Sequence, residues 1–340
     1  MRLLHFLYDH KGDELPRLSL NAGLIVKRMM GWRAENRIPT AHLRIAVHRS
    51  RLRYNSFMRF ISFKLLKLLL TIFALLPLPV VHGLGKLLGW VGSALSLQHA
   101  RISADNLHSS GIYPNPAEFK KAARLSIGES GKALLESLAI WLRSDQRQAA
   151  LVKSFDGWEH IEQGLASGKG IIFLSPHIGC FEITSLYVAN RFPITVLFRS
   201  PRHAWMLPIM NLGRQRGMIS LVQANAQGVK HLLKALQRGE AIGVLPDQAP
   251  QEGEGEWAPF FGRPAYTMTL ASKLAKTTGA QVLMVFGERL AYGRGYTIHV
   301  RPIADGGIDT PSLLNSEIER TILQCPKQYL WGYDRFKARD

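Results

Sequence analysis

Twelve histidines occur in the 340-residue chain, and only His177 has an acid five positions later, Glu182. An imidazole with a carboxylate on its second ring nitrogen suits deprotonation of a hydroxyl. Its pKa lies near working pH, and the carboxylate fixes the tautomer and steadies the cation formed. With this many histidines and acids, about one such pair is expected by chance, so the weight falls on the surroundings. Ile171–Leu174 is an apolar run led in by Gly168 and Gly170, which predicts a strand buried on both faces. Ser175-Pro176-His177 ends it, because proline cannot donate to a central ladder. Gly179 permits a tight turn into a helix over Cys180–Asn190, and a second strand, Ile194–Phe198, is closed by Arg199. His177 then stands at the carboxyl end of a strand, the edge where open α/β sheets bind ligands, with Glu182 on the next helix. The plain competing reading is a loop histidine capping that helix. Cys180 is a rival as thiol nucleophile, although cysteine is more often a small buried hydrophobe.

The elements that must hold this unit follow the same alternation. Helical spacing is expected over Ala100–Leu142 with a start at Asn115-Pro116, and over Trp158–Ala166, Arg202–Arg216, Gln227–Gln237, Tyr266–Thr278 and Ser312–Gln324. Strands are expected at Ile219–Val222, Ala241–Leu245, Val282–Phe286 and Tyr296–Val300, with 249–264 as a loop. The pattern predicts an α/β fold with a mainly parallel or mixed sheet flanked by helices. Asp247 and Gln248 follow the Ala241–Leu245 strand and so reach the same edge as His177. Ordinary turn chemistry explains an aspartate there equally well.

A formal net charge of +18 implies an anionic partner, whether nucleic acid, an acidic membrane leaflet or a phosphorylated substrate. No stretch interleaves aromatics with Lys and Arg as single-strand binders do, which argues against nucleic acid. Two cysteines far apart, Cys180 and Cys325, exclude a zinc ribbon or disulfide framework, and no metal site is expected. Residues 1–57 read as a basic extension, disordered or an over-called start with translation beginning at Met58. Residues 1–55 hold eleven Lys and Arg against four acids. Residues 58–97 are the most apolar part of the chain, with Leu68–Val81 free of charge and interrupted by Pro77 and Pro79. They read as a membrane-anchoring segment, as a single span or a hairpin in one leaflet, against the alternative of a buried core helix. Residues 98–340 form the remaining domain.

The stretch SPHIGCFE resembles the HX4(D/E) motif of the glycerolipid acyltransferase superfamily. More closely, the chain from about Met58 onward is similar to the late acyltransferases of bacterial lipid A biosynthesis, the lauroyl and myristoyl transferases. The matching features fall in order: the apolar segment, Asn106-Leu107, Gly170–Glu182, Leu197-Phe198-Arg199 and Leu245-Pro246-Asp247-Gln248. They continue through Pro259-Phe260-Phe261-Gly262-Arg263-Pro264-Ala265, Tyr329-Leu330-Trp331 and Arg335-Phe336. Phe181 and Cys180 stand where tryptophan and asparagine are commoner, which bears on acceptor specificity and not on the chemistry.

The resemblance implies a glycerol-3-phosphate acyltransferase-like fold. It implies transfer of a fatty acyl chain from acyl carrier protein to a hydroxyl of a phosphorylated, Kdo-bearing lipid A precursor, without a cofactor and without an acyl-enzyme. His177 is then the general base and Glu182 its orienting partner. Arg199 becomes a candidate phosphate clamp, since guanidinium binds phosphate bidentately. Gly179, Asp247, Gln248, Gly262, Arg263 and Thr267 complete the expected substrate-binding set. Arg214 and Arg216 are expected on a solvated basic face, one that could meet the acidic carrier protein. The expected location is the bacterial inner membrane with the catalytic domain on its cytoplasmic face. A lysophospholipid or glycolipid acceptor is the alternative within the enzyme reading. A non-enzymatic basic protein binding membranes or nucleic acid is the alternative outside it.

Overall fold

Two four-residue strands buried at every position, β2 (Ile171–Leu174) and β5 (Ala241–Val244), pair in parallel at the centre of a seven-stranded sheet. Continuous apolar runs of this kind are what a sheet covered on both faces requires. The computed structural model describes residues 68, 70–201, 206–303 and 307–336, all within the unit Lys64–Asp340; the extension 1–57 lies outside them. The other strands of the sheet are β1 (Val152–Asp156), β3 (Ile194–Phe198), β4 (Ile219–Gln223), β8 (Gln281–Arg289) and β9 (Tyr296–Pro302). Their order is β1-β9-β8-β2-β5-β3-β4, parallel at every pairing except β8 with β9. The expected mixed sheet flanked by helices is therefore present.

Alternate residues of the central strands feed two separate cores, as the period of two dictates. Ile172, Leu174, Ile242 and Val244 pack under α8 (Ala226–Gln237), α9 (Leu270–Thr278) and α10 (Pro311–Ile322). Ile171, Phe173, Ala241 and Leu283 pack with Ile183, Leu186 and Val188 of α6 (Phe181–Ala189), and with Ile161 of α5 (Trp158–Ala166). The remaining helices are α1 (Leu78–Leu95), α2 (Leu97–Ser109), α3 (Pro116–Leu142), α4 (Asp145–Ala149) and α7 (Leu207–Arg214).

Three expectations change. The helix expected from Tyr266 begins only at Leu270, because 255–268 is a hairpin of β6 (Gly255–Phe260) and β7 (Arg263–Met268). Its two-residue loop, Phe261-Gly262, takes φ of 46° and 74°, and positive φ at both positions is what such a turn requires. The helical stretch expected over Ala100–Leu142 is two helices, α2 and α3, and the second starts at Asn115-Pro116 as expected, with Asn115 accepting from the Ala117 and Glu118 amides.

The third change concerns the apolar segment. The helical run over 70–75 stops before Pro77, so the prolines do interrupt the segment, and there they start α1, where a missing N–H costs nothing. α1 lies along α3 with backbone against backbone: a Cβ on Gly131 would sit 2.0 Å from the Gly85 carbonyl oxygen. Its other face leaves Leu84, Leu87, Leu88, Val91 and Leu95 exposed. Among the described residues no single helix is long and apolar enough to cross a membrane. The pair α1–α2, bent by 106°, meets that length and composition only together. The expected single anchoring helix over 58–97 is thus absent from the described residues, and 58–67 lie outside them.

Candidate active site

The register of β2 and β5 builds the centre of the site. Leu174 is opposite Val244, so three residues further along each strand His177 and Asp247 arrive together at the carboxyl edge. Asp247 holds residue 177 twice: Oδ1 is 2.8 Å from His177 Nδ1, and Oδ2 accepts from the His177 amide at 2.8 Å. A carboxylate only accepts, so Nδ1 carries the proton and Nε2 keeps its lone pair. The Gln248 amide nitrogen lies 3.2 Å from that Nε2 and donates to it. Asp247 is fully buried, and burial alone would raise its pKa. The facing His177 ring and the hydrogen bonds from His177 prevail and hold it below the usual carboxylate range. The Phe181 ring packs on the imidazole with centroids 4.9 Å apart.

Glu182 is not the partner of His177. Its carboxylate, 4% exposed, accepts from the Trp141 indole at 2.9 Å and from Arg214 Nε at 2.9 Å, with a second bond from Arg214 Nη2. Burial would lower the Arg214 pKa, but the Glu182 charge outweighs it and raises the value, so the guanidinium stays charged. The physical reason for the change is direction. Glu182 lies in the first turn of α6, which packs toward α3 and α4 and takes the Arg214 bond from α7, while His177 is gripped from β5. Arg214 and Arg216 are correspondingly not a free basic face. Arg216 pairs with Asp145 at 2.7 Å and donates to the Trp141 and Arg143 carbonyls.

His177 opens onto a cavity of about 760 Å³, inside the ~300–1000 Å³ range of pockets that take small organic ligands. Phe173, Val188, Ile194, Val196, Met210 and Ile219 supply much of its wall. Room exists on this face of β5 because position 243 is glycine, with no side chain facing Val196. Gln248, Glu182 and Arg199 line the same cavity. Arg199 donates to the Ala249 carbonyl at 3.3 Å, and its other donors have no protein acceptor among the described residues. Cys180 is buried in the core below, and burial pushes its thiol well up, which removes the rival nucleophile.

The other expected binding residues do not line the cavity. Thr267 is fully buried and bonded to Asn315 and Arg335. Arg263 lies 3.9 Å from the Phe336 ring centroid, and Gly262 makes the hairpin turn. Gly179 serves close approach, since a Cβ there would meet the Gly287 carbonyl at 2.0 Å. The loop it belongs to is fixed on every side. The Gly179 amide donates to the Gln328 carbonyl at 3.1 Å, Cys180 N–H to Gly287 at 2.7 Å, and Leu330 N–H to His177 at 3.0 Å.

With a base held at the mouth of an apolar cavity, comparison with known proteins becomes informative. The profile of the family described as bacterial lipid A biosynthesis acyltransferase matches residues 52–338. The chain belongs to that family. The lipid A biosynthesis lauroyltransferase of Escherichia coli K12 is 26% identical over 270 residues, covering 78% of this chain and 87% of the relative. The palmitoleoyltransferase of the same organism is 26% identical over 271 residues, covering 78% and 87%. The myristoyltransferase is 24% identical over 271 residues, covering 77% and 81%. In this lipid A acyltransferase family member, several resemblance residues are structural. Asn106, for instance, donates at 2.8 Å to both the Trp331 and Tyr333 carbonyls. Sequence reasoning missed Trp141 as a carboxylate holder, and it offered Asp247 only as a second-rank site residue. The signal that could have raised Asp247 is its position, three residues past a strand just as His177 is.

Proposed function

We propose that the protein transfers a fatty acyl chain from acyl carrier protein to a hydroxyl on an anionic, phosphorylated, Kdo-bearing lipid A precursor, with His177 as general base. The observation that carries this reading is the His177–Asp247 pair at 2.8 Å, with His177 lining a mainly apolar cavity. The acceptor hydroxyl displaces Gln248 from Nε2 and gives its proton to that atom as its oxygen attacks the thioester carbonyl. Asp247 steadies the imidazolium, and Nε2–H then protonates the departing thiolate. The cavity wall takes the acyl chain, for which area removed from water is worth about 0.8 kcal/mol per CH₂. Arg199, with guanidinium donors to spare at the cavity, is suited to a phosphate of either substrate. The exposed leucines of α1 are suited to lie in the lipid surface from which an acceptor must be drawn.

The test is a transfer assay on the purified full chain with dodecanoyl-acyl carrier protein and the Kdo-bearing precursor. His177→Ala should lower kcat by about 10²–10⁴-fold. Asp247→Asn, which leaves Nδ1–H without an anionic acceptor, should lower it comparably. Wild-type rates in His177→Ala sink the mechanism. In cells, lipid A from a deletion strain should lose one acyl chain by mass spectrometry; unaltered lipid A points to another acceptor.

A further inference from the structure

One hydroxyl in the cavity is unaccounted for. Ser175 lies one residue past β2, its amide donating to the Val244 carbonyl at 3.0 Å, on the strand face that carries Phe173 toward the cavity. It is 8% exposed and lines the cavity together with His177, two residues on. Its Oγ has no hydrogen-bond partner among the described residues. A buried hydroxyl left unpaired opposes folding, so an unsatisfied one beside a reactive group calls for an explanation. Preorganised donors aimed at the place where negative charge develops are usually the largest catalytic contribution in acyl transfer.

We infer that Ser175 Oγ–H is the donor to the oxyanion formed when the acceptor hydroxyl attacks the thioester, acting opposite His177 in the same cavity. This rests on the acyl-transfer reading above. As the new C–O bond forms, the carbonyl π pair moves onto oxygen and the acceptor proton passes to His177 Nε2. Ser175 O–H bonds to that oxyanion. On collapse the C=O bond is restored, the C–S bond breaks, and the sulfur leaves with the proton from Nε2. Ser175 neither gains nor loses a proton and forms no covalent bond. Among the described residues no hydrogen bond links it to His177 or any other base, so it has no activator as a nucleophile.

The experiment uses the full chain with dodecanoyl-acyl carrier protein and the Kdo-bearing precursor, and compares Ser175→Ala, Ser175→Thr and His177→Ala. Ser175→Ala should lose about 10²-fold in kcat with KM for the thioester nearly unchanged. Its Tm should be unchanged or higher, because an unpaired buried hydroxyl has been removed. Ser175→Thr should recover part of the lost rate. Ser175→Ala with wild-type kcat, while His177→Ala is inactive, overturns the inference and leaves the acyl-transfer reading standing. A lowered Tm that accounts for the lost activity, or an acyl adduct on Ser175 by intact-protein mass spectrometry, overturns it as well. Activity retained by His177→Ala defeats the underlying reading first.

Discussion

Removing the Glu182 carboxylate, which is 4% exposed, leaves the Trp141 indole and the Arg214 guanidinium without their shared acceptor. Breaking one side of a buried ion pair costs about 3 kcal/mol or more. Glu182→Ala should therefore lower Tm by several degrees, roughly 2–4 °C per kcal/mol at this size. His177→Ala should lower Tm less, since that side chain is partly exposed and Asp247 keeps its bond to the backbone amide. Differential scanning calorimetry of the two variants checks the contrast. A Glu182→Ala protein with wild-type Tm and no activity would return Glu182 to the chemistry. The five-residue spacing that drew attention to the pair thus joins two groups in separate settings, one lining the cavity beside Asp247 and one holding α3, α6 and α7 together.

At the scale of elements, the question is what keeps the His177 loop in place. Arg289, at the end of β8, donates to the Gly179 carbonyl at 2.6 Å and to Glu136 of α3 at 2.8 Å. Glu136 also takes a bond from Tyr296 at 3.0 Å and pairs with His82 of α1 at 3.0 Å. Helices α1 and α3 and strands β8 and β9 thereby converge on one fully buried carboxylate. Burial would raise the Glu136 pKa, but the Arg289 charge and the bonds from His82 and Arg289 overcome it and bring it down to about 2. In the unfolded chain the carboxyl titrates near 4.5. Between these values the unfolded state binds the extra proton, so the contribution is present above pH 4.5 and is lost as pH falls toward 2. Each tenfold change in proton affinity is worth about 1.4 kcal/mol, which makes the full contribution roughly 3 kcal/mol. Urea unfolding from pH 5 to pH 2 should show a steep acid loss in the wild type, and Glu136→Gln should be less stable at pH 5 with a flatter acid limb. Parallel curves for the two proteins refute the assignment.

These elements also show what the chain discloses about itself. β2, α6 and β3 are legible because their apolar spacing is clean and glycine and proline punctuate it. The β6–β7 hairpin is not, because its turn places Phe261, a residue with no preference for positive φ, where glycine or asparagine is the usual signal. β1, VKSFD at the sheet edge, shows little apolar pattern and leaves no trace. The Asp247 partnership depends on which strands are neighbours, since 70 residues separate it from His177. The register that joins them exists only once β5 has inserted between β2 and β3.

For the molecule as a whole, two forces are available to hold it at a lipid surface, and they are separable. The net charge of +18 draws it to anionic lipid, but 1 M salt shrinks the screening length to about 3 Å and removes most of that attraction. The outward face of α1 offers Leu84, Leu87, Leu88, Val91 and Leu95, from 41% to 79% exposed. Each large aliphatic side chain buried in lipid contributes about 1.5–3 kcal/mol, independent of salt. The backbone contact of Gly85 and Gly89 with Gly131 fixes that face outward, so α1 cannot roll over to hide it. In flotation with vesicles containing anionic lipid, the full chain should stay bound in 1 M salt. Changing Leu84, Leu87, Leu88 and Val91 together to serine should make binding salt-sensitive. Activity on the lipid precursor should then fall through KM more than through kcat, because the His177 site is untouched while the acceptor is reached less often. Release of the wild type by salt alone would mean that charge and not α1 does the holding, and the leucines would then need another occupant.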